Sequence, residues 1–172
     1  GCDVIIAQGY EAGGHRGMFL NSDPATQIGT MSLVPQIADI VNIPVIAAGG
    51  IADGRGIAAA FALGASGVQI GTAYLFTREA TISEVYRNAL SGAKDEYSAL
   101  TNIFSGRPAR CLMNRAMRDL GPITEDAAAF AAEKPLQDDI GNAKFEYSSG
   151  TSVILSRIWQ NQLGKKVMEK ER

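Results

Sequence analysis

The chain has 172 residues, of which 46% are hydrophobic and 20% charged, and its formal net charge at pH 7 is −2. This composition is typical of a soluble globular domain and gives no electrostatic basis for binding nucleic acid or an anionic membrane. The two cysteines are widely separated, which argues against a disulfide framework or a zinc knuckle and favours a reducing cytoplasm. No apolar run has the roughly 18 residues that a membrane span needs.

Three short apolar segments predict β-strands at residues 4–7, 44–48 and 67–70. The first two are almost continuously apolar, as strands covered on both faces are. Between the strands, a helical period predicts a helix over 33–41, provided that Pro35 lies in its first turn. An alanine-rich segment predicts a second helix over 56–63, with Gly64 as its C-terminal cap. This alternation predicts βαβ units and a parallel sheet.

The character of the chain changes after the third strand, because the remaining segments have helical patterns. Helices are predicted at 83–90, 110–120, 124–132 and 152–170, the second of them stopped by Gly121 and Pro122. No internal repeat or linker divides the chain. We therefore expect one domain over 1–172, in which these helices cover the sheet.

Glycines follow the second and third predicted strands, as Gly49-Gly50 and Gly71-Thr72. Glycine at a strand end lets a ligand approach the backbone, and a following helix N-terminus favours an anion. Two such loops on consecutive strands are typical of the phosphate site of TIM barrels. The alternative is that the glycines only form tight turns. A Rossmann site is disfavoured because the full glycine fingerprint is absent.

His15 is the only histidine and follows two glycines in the loop after the first strand. Histidine titrates near neutral pH and suits proton transfer, and in a barrel this loop lies on the catalytic face. The alternative is a surface histidine without function. The sequence has no dense cluster of metal ligands, no nucleophile elbow and no Walker A motif.

Three segments together resemble the nitronate monooxygenase family, formerly called 2-nitropropane dioxygenases. They are Gln8-Gly-Tyr-Glu-Ala-Gly-Gly-His15-Arg-Gly17, Pro44-Val-Ile-Ala-Ala-Gly-Gly50-Ile-Ala-Asp-Gly54 and Gly67-Val-Gln-Ile-Gly-Thr72. The Glu-Ala-Gly-Gly-His-Arg-Gly part is specific, whereas the glycine segments are shared with other phosphate-binding barrels. The resemblance covers roughly residues 1–120.

The resemblance implies an FMN-dependent TIM-barrel enzyme that oxidises alkyl nitronates with O₂ to a carbonyl compound and nitrite. His15 matches the family's catalytic histidine, which binds substrate and takes the α-proton of a nitroalkane. The positions that match flavin contacts are Gln8, Gly13, Gly49, Gly50, Gln69, Ile70, Gly71 and Thr72. No metal, nucleic acid or membrane is implied as a partner, and the sequence carries no indication of the oligomeric state.

The chain departs from the family in its length, because a closed barrel typically needs about 250 residues. We expect a partial (β/α)8 barrel made of the last three strands and the C-terminal helices, with the N-terminal strands missing from a fragment. One alternative is FMN-dependent enoyl-acyl carrier protein reductase, which shares the Glu-Ala-Gly-Gly-His segment but typically has Glu at the position of Gln8. A second alternative is an inactive fragment that does not hold FMN alone, since its sheet edges and apolar face would be exposed.

Overall fold

The computed structural model describes residues 1–18, 23–125 and 127, which form an α/β fold. Its strands are β1 (Ile5–Gln8), β2 (Gly14–His15), β3 (Val45–Ala48), β4 (Gly67–Gln69), β5 (Ser98–Thr101) and β6 (Ala109–Leu112). Its α-helices are α1 (Thr30–Ala38), α2 (Gly54–Ala62), α3 (Glu84–Gly92) and α4 (Arg115–Leu120). Short 3₁₀ turns lie at Pro24–Thr26, Thr72–Phe76 and Asp95–Tyr97.

The three predicted strands form one parallel sheet in the order β1-β3-β4. Each lies within one residue of its predicted bounds. The helices α1 and α2 cross over between consecutive strands, as a parallel sheet requires. The prediction of βαβ units is therefore confirmed.

One face of this sheet holds the hydrophobic core. Ala7, Val45 and Ala47 are almost fully buried there, against Val34 of α1 and Ala60 of α2. Side chains alternate along a strand, so the neighbouring residues point to the opposite face. On that face Ile6 remains 54% exposed. Within the described part of the chain, helices thus cover one face of the sheet and leave part of the other open.

The helix α1 begins three residues earlier than predicted, and Pro35 lies inside it rather than in its first turn. The predicted start at residue 33 was wrong because the side chain that caps this helix comes from a distant part of the chain. Its N-cap residue is Gly29, which has no side chain to cap with, and the Glu11 carboxylate from a distant loop accepts from the Thr30 N–H at 2.9 Å. No local pattern around residue 30 could reveal that partner.

The end of α2 follows the sequence prediction. Gly64 has a positive φ of 95°, and its N–H donates to the Phe61 carbonyl. The Ala65 N–H donates to the Ala60 carbonyl at 3.0 Å. This pair of bonds is a Schellman motif, which needs the left-handed conformation that glycine adopts readily.

The prediction of a helix over 110–120 was wrong in its first half. Residues 109–112 form β6, which pairs antiparallel with β5 and with β2, and only α4 is helical. The Asn114 side chain accepts from the Met117 N–H and so starts this helix after the strand. The pairing partners come from distant parts of the chain, and cross-strand pairing of this kind overrides local propensity.

Elsewhere the helical predictions have mixed outcomes. The helix over 83–90 is confirmed as α3, with Ser83 as its N-cap. The helices predicted at 124–132 and 152–170 lie outside the described residues, except for positions 124, 125 and 127. The assignment of 1–172 to one domain stays a prediction.

Candidate active site

The loop between β1 and β2 is held in shape by the buried side chain of Arg16. Its guanidinium donates to the carbonyls of Gly9 at 2.7 Å and Ala12 at 2.8 Å, and its Nε donates to Gln27 Oε1 at 2.6 Å. Only 6% of Arg16 is exposed, and burial lowers the pKa of its guanidinium. These three oxygens satisfy its donors by hydrogen bonding, as a buried polar group requires. Arg16 therefore has a structural role in the loop.

His15 lies in β2, where it is held by contacts from two directions. Its backbone pairs with β6, opposite Ala109. The Gln8 Nε2 donates to the His15 carbonyl at 2.9 Å, and the imidazole Nε2 lies 2.6 Å from Ser105 Oγ. Because both the backbone and the ring have partners, the orientation of the imidazole is set by the fold.

The electrostatics of the site favour a neutral His15. Burial lowers the pKa of the imidazole below its ordinary value of 6.5, and the positive charge of Arg107 lowers it further. At neutral pH the ring is therefore mainly unprotonated and able to accept a proton. The Ser105 hydroxyl can donate to an unprotonated Nε2 and accept from a protonated one. Ser105 Oγ also donates to the Arg107 carbonyl at 3.3 Å, and in that arrangement it accepts from a protonated Nε2, so that Nδ1 is the nitrogen that takes up a proton.

Ser105 is a candidate site residue that the sequence prediction missed. It lies in the turn between β5 and β6, where Gly106 has a φ of 73° and donates to the Asn102 carbonyl at 2.7 Å. The Ser-Gly-Arg-Pro composition is a turn signal, but 90 residues separate Ser105 from His15. Only the pairing of β2 with β6 brings the two together.

Glu11, in the segment that carries the family resemblance, fixes the loop to α1. Its Oε2 accepts from both the Thr30 N–H and the Thr30 hydroxyl, each at 2.9 Å. Burial alone would raise the pKa of this carboxyl, but the bonds from Thr30 and the charge of Arg110 outweigh burial and lower it. Glu11 is therefore a charged helix cap.

The first glycine turn packs directly against this loop. Gly49 has a φ of 114°, and a Cβ there would lie 2.8 Å from the Ala12 nitrogen and 2.9 Å from Thr30 Oγ1. Gly50 has a φ of 69°, and a Cβ there would contact the Glu11 side chain from 3.4 Å. The left-handed backbone conformation therefore accounts for both glycines, and at Gly49 close packing also excludes a side chain, in line with the tight-turn interpretation.

The second glycine turn is different because it faces open space. A Cβ on Gly71 would meet no atom within 4 Å, and its φ is −100°. A Cβ on Gly13 would meet only Thr72 Oγ1, at 3.5 Å. In the described part of the chain, neither packing nor a positive φ requires glycine at position 71. Close approach of a ligand to the backbone would explain it.

Gln8 and Gln69 occupy equivalent positions on β1 and β4, the two strands that flank β3. Gln8, Ala48 and Gln69 are register partners across the parallel sheet, so their side chains point to the same face, the one opposite the core. The outer two strands are roughly 10 Å apart. Ile70 follows Gln69 and is only 3% exposed, so its side chain is not available to a ligand.

The structure thus brings the residues predicted from the sequence to one end of the sheet. The 9–13 loop contacts the first glycine turn through Glu11 and Ala12, and Gly13 lies beside Thr72 of the second. Among the described residues, no group of three or more His, Cys, Asp or Glu side chains could hold a metal ion. In the same residues, no helix has the length and apolar character needed to cross a membrane.

The sequence matches a family model described as nitronate monooxygenase over residues 1–168. A probable nitronate monooxygenase from Staphylococcus saprophyticus is 42% identical over 167 residues, which cover 94% of this chain and 45% of the relative. Its counterpart from Staphylococcus aureus strain Newman is 46% identical over 144 residues, covering 83% of this chain and 41% of the relative. The chain spans less than half the length of these relatives.

Two solved structures share the fold of the chain. A nitroalkane oxidase from Streptomyces ansochromogenes is 45% identical with a TM-score of 0.65, and the match covers 71% of this chain and 36% of that one. FabK from Thermotoga maritima is 43% identical with a TM-score of 0.60, covering 70% of this chain and 36% of that one. The loop that holds His15 and the two glycine turns lie within the sequence that the family model matches, and the chain belongs to the nitronate monooxygenase family.

Proposed function

We propose that these residues form part of the active site of an FMN-dependent enzyme that oxidises alkyl nitronates with O₂ to a carbonyl compound and nitrite. The observation that carries the proposal is the placement of His15. His15, whose pKa is lowered, lies in β2 directly after the 9–13 loop, and this loop contacts the first glycine turn through Glu11 and Ala12 and lies beside Thr72 of the second. Membership of the nitronate monooxygenase family and the likeness to a nitroalkane oxidase support the same chemistry.

His15 acts on the proton and the charge of the substrate. With a nitroalkane, the neutral imidazole takes the α-proton, which leaves a nitronate anion beside an imidazolium. The imidazolium and the Arg107 cation, which already acts on His15 electrostatically, both favour that anion. With a nitronate as the substrate, the protonated ring binds the anion directly. Ser105 holds the ring in one orientation in both cases.

The chain offers a backbone cradle that fits the phosphate of FMN. The free space at Gly71 would admit a phosphate to the backbone, where N–H groups and the Thr72 hydroxyl would donate to it. Main-chain groups of Gly13, Gly49, Gly50 and Ile70 would add to this cradle, and the amides of Gln8 and Gln69 would bind the polar edge of the ring system. When bound, FMN supplies the electron acceptor that these side chains do not provide.

The open face of the sheet supports the predicted partial barrel. The side chains opposite the core include Ile6, which is 54% exposed, and the two glutamines. In a closed barrel this face would point to the interior, where further strands cover it. A cytoplasmic location stays a prediction from the cysteine content.

The test of the proposal is the product of turnover. The purified, flavin-loaded protein that contains this chain is given an alkyl nitronate in air, and nitrite and oxygen uptake are measured. We expect nitrite to form with consumption of O₂. Oxidation of NAD(P)H by an enoyl thioester, without nitrite release, would instead establish the enoyl-acyl carrier protein reductase, the second candidate, whose Glu-Ala-Gly-Gly-His segment this chain shares.

Ser105→Ala tests the contact to the imidazole. We expect kcat/KM to fall about fivefold, because the lost hydrogen bond is worth about 1 kcal/mol. Ser105→Thr, which keeps a hydroxyl, should recover most of the loss. Ser98→Ala, which removes a hydroxyl bonded to Arg110 elsewhere in the same small sheet, is the matched control. Equal kcat/KM in the wild type and Ser105→Ala would show that the contact does not assist His15.

A further inference from the structure

We propose that Gln8 is a positioning residue for His15, a role that rests on the proposed function of that histidine. Both ends of the Gln8 carboxamide bind the backbone of residues 15–17, which we call the histidine loop. Its Nε2 donates to the His15 carbonyl at 2.9 Å, and its Oε1 accepts from the Gly17 N–H at 2.7 Å. The side chain therefore spans the backbone on either side of Arg16.

The two hydrogen bonds of Gln8 connect the histidine loop to the parallel sheet. It is the last residue of β1 and pairs with Ala48 of the central strand, and the next residue donates its N–H to the Ala48 carbonyl at 2.8 Å. A loop that is hydrogen-bonded to a residue of such a sheet is held in position more precisely than a loop without that support. On the other side, β6 holds the same loop through His15 and through the Arg16 N–H, which donates to the Pro108 carbonyl at 2.9 Å.

Only a side-chain amide of this length meets both demands. The bridge needs one donor and one acceptor in a single planar group, and a carboxylate offers acceptors alone. Asparagine has the right groups but a shorter reach.

The bridge leaves Gln8 one N–H and part of its oxygen for a cofactor. Gln69 provides the comparison, because it lies in the same row of the sheet but makes no side-chain hydrogen bond within the described residues. A role confined to the cofactor would make the two glutamines equivalent. A positioning role sets Gln8 apart, since its loss changes the loop whether or not flavin is bound.

Gln8→Leu and Gln8→Glu separate the two ends of the bridge. Gln8→Leu removes both bonds, and we expect amide exchange at Gly17 to accelerate about tenfold. Gln8→Glu keeps the acceptor for Gly17 but sets a carboxylate oxygen against the His15 carbonyl. In both variants we expect kcat/KM to fall about tenfold to hundredfold as the histidine loses its alignment. In Gln8→Glu the loss should shrink at low pH, where the protonated carboxyl donates to the carbonyl again.

The readouts that do not depend on turnover are amide exchange and the NMR titration of the His15 ring, measured with and without flavin. In Gln8→Leu the pKa of His15 should rise toward its ordinary value, because a loosened loop admits water. Gln69→Glu should change flavin affinity but neither the titration nor the exchange at Gly17. Gln36→Glu, on the exposed face of α1, controls for the added charge.

The results distinguish this inference from the proposed function. Gln8 variants with altered flavin affinity but wild-type exchange and wild-type His15 titration would overturn the positioning role. A wild-type protein that releases no nitrite would overturn the proposed function. In that case the exchange and titration data would still establish or reject the bridge on their own.

Discussion

His15→Asn should lower kcat/KM for a neutral nitroalkane by about 10²- to 10⁴-fold while the flavin content stays that of the wild type, because this is the range that a general base contributes. Asparagine keeps a polar group beside Ser105 but cannot take up a proton. The backbone bonds of β2 to β6 and from Gln8 do not involve the imidazole, so the loop should keep its path. The measurement is steady-state turnover together with the absorbance of bound flavin.

The pH dependence of the wild type gives the internal check on His15. Burial and Arg107 place the pKa of His15 below 6.5. For a neutral nitroalkane, kcat/KM should therefore rise with pH through that pKa and then stay level, since the base must be unprotonated. For a preformed nitronate the pH dependence of kcat/KM is the opposite. Because the protonated ring binds the anion, kcat/KM should fall as the pH rises through the same range. His15→Asn should lack both transitions. An unchanged kcat/KM in that variant would remove His15 from the mechanism.

Gly71→Val should abolish stoichiometric flavin binding without unfolding the protein. A side chain at this position meets no protein atom within 4 Å, so the new bulk enters the space assigned to the phosphate. Steric overlap of this kind costs about 1–3 kcal/mol, which corresponds to a rise in the flavin Kd of about tenfold to hundredfold. The measurements are flavin content after gel filtration and the melting temperature of the apoprotein.

Two further glycine substitutions make the Gly71 result specific. Gly92→Val, at the end of α3, also places its side chain in open space and should keep normal flavin content. Gly49→Ala should lower the apoprotein melting temperature, because its Cβ would lie 2.8 Å from the Ala12 nitrogen in a left-handed conformation. A normal flavin content in Gly71→Val would refute the phosphate site at this turn.

Local patterns predicted the parallel half of the fold because its signals are local. The strands at residues 5–8, 45–48 and 67–69 are short apolar runs, and the cap at Gly64 needs only a residue that tolerates a positive φ. The candidate site residues between Gln8 and Thr72 were also predictable, since the glycines and the single histidine follow those strands directly. The start of α1 was not predictable, because the carboxylate that caps it belongs to Glu11.

By itself, the sequence determined the βαβ order, the candidate catalytic histidine and the family resemblance, since each depends on residues close together in the chain. The tertiary structure alone decided that residues 109–112 form a strand and not a helix, that Ser105 meets His15, and that Gln8 bridges the backbone of the histidine loop. The tertiary structure also distinguished the two glycine turns, which look alike in sequence. A side chain at Gly49 would meet other residues, whereas one at Gly71 would meet none within 4 Å. These outcomes depend on contacts between distant segments, and such contacts override local propensity.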